Sequence, residues 1–175
     1  SGAALLFEAA VCAGTPILQT MRDGLSANRI DRIEGILNGT SNYILSAMER
    51  SGEDFGETLA EAQRLGYAEA DPALDVDGGD AAHKLAILAA LGFGLRPDFA
   101  GVEVNGIRDV RAADIAQAER LGYKIRLVAM ADMVDRPGEA PALLQRVRPC
   151  LLPADHLLAG IDGPTNAVLT LGAQS

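Results

Sequence analysis

The chain of 175 residues has no tryptophan, few other aromatic residues and only two cysteines. Aromatic residues make up 4% while hydrophobic residues make up 49%, which excludes a disordered chain and indicates a core of small aliphatic side chains, usually rich in helix. Cys12 and Cys150 lie far apart and show no metal-ligand spacing. We interpret both as free, buried thiols, which predicts a reducing, cytoplasmic location.

Basic residues are also scarce, with 15 Lys and Arg against 24 Asp and Glu and a net charge of −9. They are scattered along the chain, which argues against a nucleic-acid partner because phosphates would be repelled. The longest uncharged stretches, such as residues 9–21, are shorter than the ~20 residues of a membrane helix. Glycine-rich nucleotide motifs and the serine-hydrolase motif are absent, so the chain alone shows no means of binding a nucleotide.

Hydrophobic periodicity and turn residues predict a first half that is mainly helical and a second half that contains most strands. This order favours a single α+β domain over residues 1–175, with a sheet and helices packed on one face. Residues 67–79 are predicted to form an acidic loop. Predicted helices cover 3–13, a short piece to 22, 41–50, 54–65, 80–93 and 110–121, and predicted strands cover 32–37, 123–134, 143–151 and 166–171.

The most informative segment is acidic and leads into an apolar helix. Residues 69–80 carry five carboxylates, and an uncharged run over 85–95 follows Lys84. On a helix Asp80 lies one turn before Lys84, and the remaining surface is apolar, so the lysine lies where the core begins. A lysine that is partly shielded from water and lies close to acidic groups suits proton transfer. An ordinary surface ion pair at a helix start is the simpler alternative.

A second candidate is the sequence Asn38-Gly39-Thr40-Ser41, which follows a predicted strand and begins a predicted helix. The start of a helix offers free backbone N–H groups and the positive end of the helix dipole. Gly39 would allow a ligand to approach closely, so a substrate carboxylate could bind there. A plain helix N-cap remains the alternative interpretation.

Three stretches together resemble homoserine dehydrogenase, and the resemblance covers nearly the whole chain, though it is weakest after about residue 100. The third stretch is the most specific, because about a dozen positions agree in order and spacing. The stretches are residues 7–17 (FEAAVCAGTPI), 35–45 (GILNGTSNYIL) and 66–72 (GYAEADP), the last continuing through Asp75, Gly78 and Asp80 to 84–88 (KLAIL).

This resemblance implies a reversible, NAD(P)-dependent conversion of L-aspartate 4-semialdehyde to L-homoserine, on the route to threonine and methionine. It assigns the active-site pair to Asp80 and Lys84. It assigns substrate binding to Glu69, Asp75, Tyr67, Gly39 and Thr40. A monovalent cation, Na⁺ or K⁺, would be held by Glu8 and by the backbone carbonyls of Val11, Ala13 and Thr15.

The resemblance also implies that the sheet is mixed, and that this chain is the substrate-binding and catalytic domain of a longer protein whose nucleotide-binding domain is absent here. We therefore expect the 175 residues alone to be inactive and the intact protein to be a homodimer. The choice between NAD and NADP lies outside this sequence. A non-catalytic dimerising scaffold, or an amino-acid sensor domain of the same fold, is the alternative function.

Overall fold

The computed structural model describes residues 7–12, 14–24, 30–135 and 137–172. The helices are α1 (Ile17–Gln19), α2 (Gly39–Ser51), α3 (Phe55–Arg64), α4 (Ala73–Val76), α5 (Gly79–Phe93) and α6 (Ala112–Arg120). The strands are β1 (Ile30–Ile36), β2 (Val102–Val104), β3 (Tyr123–Val134), β4 (Ala142–Pro153) and β5 (Ala167–Gly172). Short 3₁₀ turns cover Glu8–Ala10 and Leu157–Gly160, and a π-helical turn covers Thr20–Gly24.

The five strands form one mixed sheet in the order β2-β4-β3-β1-β5. β2 runs parallel to β4, and every other neighbouring pair is antiparallel. The long β3–β4 hairpin is paired from Tyr123 opposite Pro153 to Val134 opposite Ala142. The predicted α+β fold with a mixed sheet is confirmed.

Helix α5 is the centre of the main core, which lies between one face of the sheet and the helices. Its side chains are apolar around most of the helix, and Leu85 and Leu88 are completely buried. The same cluster includes residues of α2 and α6 and alternate positions of the strands, such as Leu127, Ala129 and Ala131 of β3. Within the described ranges no helix is both long and apolar enough to cross a bilayer.

The opposite face of the sheet carries a smaller apolar cluster. Ile36, Val128 and Leu158 are buried there, and Leu158 comes from the 3₁₀ turn that follows β4. Neighbouring residues on a strand point to opposite faces, which is why Leu127 and Val128 belong to different clusters. The helical layer therefore lies on one face, as predicted.

Two predicted elements differ from the structure, and one strand was not predicted. The predicted helix over 3–13 lies partly outside the described residues, and within them only Glu8–Ala10 forms a 3₁₀ turn, because Val11 is extended and Cys12 has a φ of 53°. The acidic loop contains α4, whose first turn is held by the Asp71 side chain accepting from the Ala73 N–H. Strand β2 was missed because three residues are too short for a periodic pattern.

Gly106 brings the loop after β2 into direct contact with the acidic segment. A Cβ atom on Gly106 would lie 2.5 Å from Asp77 Cα and closer still to the Val76 carbonyl oxygen. The N–H of Ile107 donates to that same carbonyl at 2.8 Å, and Arg108 forms an ion pair with Asp77. This loop therefore holds the backbone between Asp75 and Asp80 against the edge of the sheet.

We predict that Gly106→Ala lowers the free energy of unfolding by about 2 kcal/mol, because the added methyl group overlaps backbone atoms that have no room to move aside. Urea unfolding measures the loss. Gly56→Ala is the matched control, since nothing lies within 4 Å of a Cβ at that position of α3 and alanine favours helix by about 1 kcal/mol. Equal stability of the two variants would contradict the close contact.

Candidate active site

The ion pair between Lys84 and Asp80 lies at the start of α5. Lys84 Nζ is 2.6 Å from Asp80 Oδ2 and donates a second hydrogen bond to the Leu37 carbonyl oxygen at 3.0 Å. The two side chains are only 21% and 25% exposed. The amine is thus directed at the end of β1 and not into bulk solvent, unlike an ordinary surface ion pair. An ammonium has three N–H donors, and these two bonds leave one for a ligand oxygen.

Asn38 connects this pair to a second carboxylate. Its Nδ2 donates to Asp80 Oδ2 at 2.9 Å and to Asp75 Oδ1 at 2.7 Å, while its Oδ1 accepts from the Ser41 N–H at 2.8 Å. The predicted N-cap is therefore present, but the sequence did not predict that Asn38 connects two carboxylates. The available signal was a polar side chain directly between a buried strand and a buried helix.

Helix α2 also holds the segment that carries the proposed substrate-binding residues. Ser41 Oγ donates to the Asp75 carbonyl at 2.9 Å, and Thr40 Oγ1 donates to the Tyr67 carbonyl at 3.1 Å. The ring of Tyr67 stacks on Tyr43 with their centroids 4.0 Å apart. The structure thus brings Thr40, Tyr67 and Asp75 to the same end of α2.

Glu69 lies on the exposed part of the same segment. Its side chain is exposed, and its backbone carbonyl accepts from Gln63 Nε2 at 2.9 Å. The hydrogen bond to Gln63 holds the backbone two residues after Tyr67 against α3. Glu69 therefore stays available for a charged ligand, and its role in substrate binding remains a prediction.

The space beside Gly39 is filled by the protein itself. A Cβ at Gly39 would lie 2.9 Å from the Pro164 carbonyl oxygen, so the glycine permits the segment before β5 to pack on α2. Asn42 fixes that segment by donating to the carbonyls of Ile161 and Gly163 at 3.0 and 2.9 Å. The close approach that we expected from a ligand is made by Pro164.

Cys12 lies within electrostatic range of the ion pair. Burial raises the pKa of its thiol, the charge of Lys84 opposes this effect, and that of Asp80 adds to it. Both cysteines are free, as predicted, and Cys12 is 2% exposed. Cys150 is only half-buried, so its predicted full burial is wrong, because it lies on the thinly covered face of the sheet.

The predicted cation site lies in the first motif. The Glu8 carboxylate accepts from the N–H groups of Leu18 and Gln19 at 2.8 and 3.0 Å. The Thr15 carbonyl accepts from the Ile17 N–H, Val11 is buried, and Ala13 lies outside the described residues. Carboxylate and carbonyl oxygens suit a hard cation such as Na⁺. The ligand set of Glu8, Val11, Ala13 and Thr15 stays a prediction.

A second buried charge network lies at the other end of α2. Arg126 of β3 is 1% exposed and bonds Glu49 Oε2 at 2.8 Å and Asp162 Oδ1 at 2.7 Å. It also donates to the carbonyls of Ala159 and Ile161. Burial raises the pKa of Glu49, but hydrogen bonds and charges from Lys124 and Arg126 outweigh it, so the pKa lies below its ordinary value. This network holds the segment that covers Gly39.

Known proteins share both the sequence and the fold of this chain. A family model described as homoserine dehydrogenase matches residues 16–175. The chain belongs to the homoserine dehydrogenase family. A homoserine dehydrogenase from Synechocystis is 54% identical over 172 residues, which is 98% of this chain and 39% of that relative. One from Pseudomonas aeruginosa is 47% identical over 98% of this chain and 38% of the relative's length.

Solved homoserine dehydrogenase structures also share the fold of this chain. The structure from Thiobacillus denitrificans has a TM-score of 0.91 and 48% identity over 95% of this chain and 37% of its own length. A hyperthermophilic archaeal homoserine dehydrogenase in complex with NADPH has a TM-score of 0.76 and 32% identity over 96% of this chain and 46% of its own length. The chain therefore spans less than half the length of these family members.

We predict a pH-dependent stabilisation by Glu49. Because its pKa is lowered on folding, the charged carboxylate stabilises the fold above the ordinary glutamate value, and this contribution is lost as the pH falls through the lowered pKa. The difference in free energy of unfolding between the parent and Glu49→Gln should be full at about pH 7 and shrink below about pH 4. Glu57→Gln, which removes an exposed carboxylate, controls for net charge. A difference that is constant with pH would contradict this account.

Proposed function

We propose that this chain is the substrate-binding and catalytic domain, residues 1–175, of a homoserine dehydrogenase. The reaction is the NAD(P)-dependent interconversion of L-homoserine and L-aspartate 4-semialdehyde, on the route to threonine and methionine. The observation that carries the proposal is the partly buried ammonium of Lys84, held by Asp80 and the Leu37 carbonyl. Membership of the family supplies the substrate class.

The chemistry suits the position of Lys84. When bound, NAD(P)H supplies hydride to the aldehyde carbon, and negative charge then develops on the aldehyde oxygen. Lys84 donates its free N–H toward that oxygen and transfers a proton to it, giving the hydroxyl group of homoserine. Asp80 keeps the amine charged and oriented, and in the reverse direction Lys84 takes the hydroxyl proton back.

The acidic segment would anchor the amino-acid end of the substrate. Glu69 and Asp75 carry the negative charge that a substrate ammonium needs, and Tyr67, Gly39 and Thr40 lie around the start of α2. Holding the ammonium fixes the distance between the reacting aldehyde and Lys84. This division of roles places binding on residues 67–75 and proton transfer on α5.

The remaining partners follow from the family and not from contacts of this chain. Sequence motifs for a nucleotide are lacking here, so we assign NAD(P) binding to another part of the intact protein. A bound Na⁺ or K⁺ near Glu8, a homodimer formed through the sheet and a cytoplasmic location complete the proposal. Exposed apolar side chains on the edge and face of the sheet, such as Leu171 at 43% exposure, support the dimer.

The deciding experiment replaces Lys84 in the full-length protein. Lys84→Met should lower kcat for homoserine oxidation by about 10²-fold or more, because the general acid-base group is lost while the length of the side chain is kept. Lys124→Met is the matched control, since Lys124 is the only other lysine and pairs with Glu49 away from the site. Rates are followed as NADH or NADPH formation at 340 nm.

The outcome separates the two candidate functions. Turnover by the parent that is lost in Lys84→Met and kept in Lys124→Met supports the dehydrogenase. A parent protein that binds L-homoserine with both cofactors present but shows no hydride transfer would identify the scaffold or sensor. Equal activity of the two lysine variants would refute the proton-transfer role.

We further predict that Glu69→Gln raises the KM for L-homoserine about tenfold or more with a smaller change in kcat, because the ammonium loses a charged partner. Glu53→Gln removes another exposed carboxylate and should leave KM at the parent value. Steady-state kinetics at saturating cofactor provide the measurement. An unchanged KM in Glu69→Gln would show that the substrate ammonium binds elsewhere.

A further inference from the structure

Asn38 uses both ends of its side chain at the junction between β1 and α2. It is 4% exposed and lies one residue after Leu37, whose carbonyl accepts from Lys84. The side-chain oxygen of Asn38, Oδ1, accepts from the Ser41 N–H, which fixes the orientation of the amide group. The NH₂ group is consequently forced to point at the carboxylates of Asp75 and Asp80.

The two carboxylates come from different elements and would otherwise repel each other. Asp75 belongs to α4 and Asp80 belongs to α5, and of these two carboxylates Lys84 bonds that of Asp80. One neutral group with two N–H donors can satisfy an oxygen of each carboxylate at once. A serine at position 38 could cap α2 but could not reach both acids, and an aspartate would add a third acceptor.

We propose that Asn38 is the positioning residue of the site: it fixes Asp80, and through Asp80 the amine of Lys84, relative to Asp75. This inference rests on the proposed function. The Asn38 side chain bonds Asp75, Asp80 and the Ser41 N–H, so we assign it a positioning role and not a catalytic one. Its effect on the rate passes through Asp80, because Asp80 Oδ2 accepts from both Asn38 and Lys84.

The test is a double-mutant cycle in the full-length protein, with kcat/KM for homoserine oxidation as the readout. Asn38→Ser keeps a helix cap and removes the double donor, and Asp80→Asn removes the charged acceptor with little change of shape. Each single variant should lose about 10²-fold, the cost of a misplaced catalytic group. The double variant should lose little more than Asp80→Asn alone, because both changes interrupt the same connection.

Two further variants separate positioning from a general structural role. Asn42→Ser changes another buried asparagine, one that bonds the carbonyls of Ile161 and Gly163. The fold losses in kcat/KM from Asn42→Ser and Asp80→Asn should therefore multiply in the double variant. Asn38→Asp keeps the size of the side chain and the helix cap but replaces the NH₂ donor by an accepting carboxylate oxygen. Its activity should therefore be at least as impaired as that of Asn38→Ser. Thermal unfolding of every variant reports whether the fold is kept.

Each result decides the matter. Independent, multiplying effects of Asn38→Ser and Asp80→Asn in an active parent would overturn the inference, as would full activity of Asn38→Asp, which a pure capping role predicts. An inactive parent would instead refute the proposed function. If Asn38→Ser does not fold, the cycle is run with Asn38→Asp, and the same non-additivity is required.

Discussion

The site depends on a charged amine that is held where water is largely displaced. Lys84 is presented by a helix that is apolar on most sides, so its ammonium needs partners from the protein. Those partners are a carboxylate from its own helix and the backbone carbonyl of Leu37, the residue directly after β1. The position of the amine is consequently set by how α5 docks against the end of β1.

Helix α2 connects the site to the rest of the domain. One end of the helix carries Asn38 and Ser41, which hold the acidic segment, while Asn42, Ser46 and Glu49 continue along it at steps of three or four residues. These later side chains bond the segment before β5 and the buried Arg126. A single amphipathic helix therefore ties the site to the sheet through polar contacts, while its apolar side packs into the core.

Much of the fold could be predicted from periodicity. The structure places α5 and β3 within a residue of the predicted ranges, because a long apolar helix and a long alternating strand leave strong patterns. β2 and α4 could not be predicted, since each is too short to show a hydrophobic pattern. Their positions are set by long-range contacts such as the packing of Gly106 on the acidic segment.

For the site, the ion pair was identifiable because Asp80 and Lys84 lie one helical turn apart. The bridging role of Asn38 and the partners of Arg126 were not identified, because these partners are distant in sequence and nothing local distinguishes a bridging asparagine from an ordinary cap. The same limit explains why the close contact between Gly39 and Pro164 was not predicted.

The strand order has a consequence for the way in which the chain assembles. β1 lies between β3 and β5, so Arg32 pairs with Asp132 and Ile30 pairs with Gly172 across the sheet. The β3–β4 hairpin instead pairs residues that are close in sequence. Local pairings close small loops and form early, while distant ones are slow. The hairpin therefore closes at the lower entropic cost, whereas the strand that leads into Leu37 and Asn38 depends on residues from the far end of the described chain for its last neighbour.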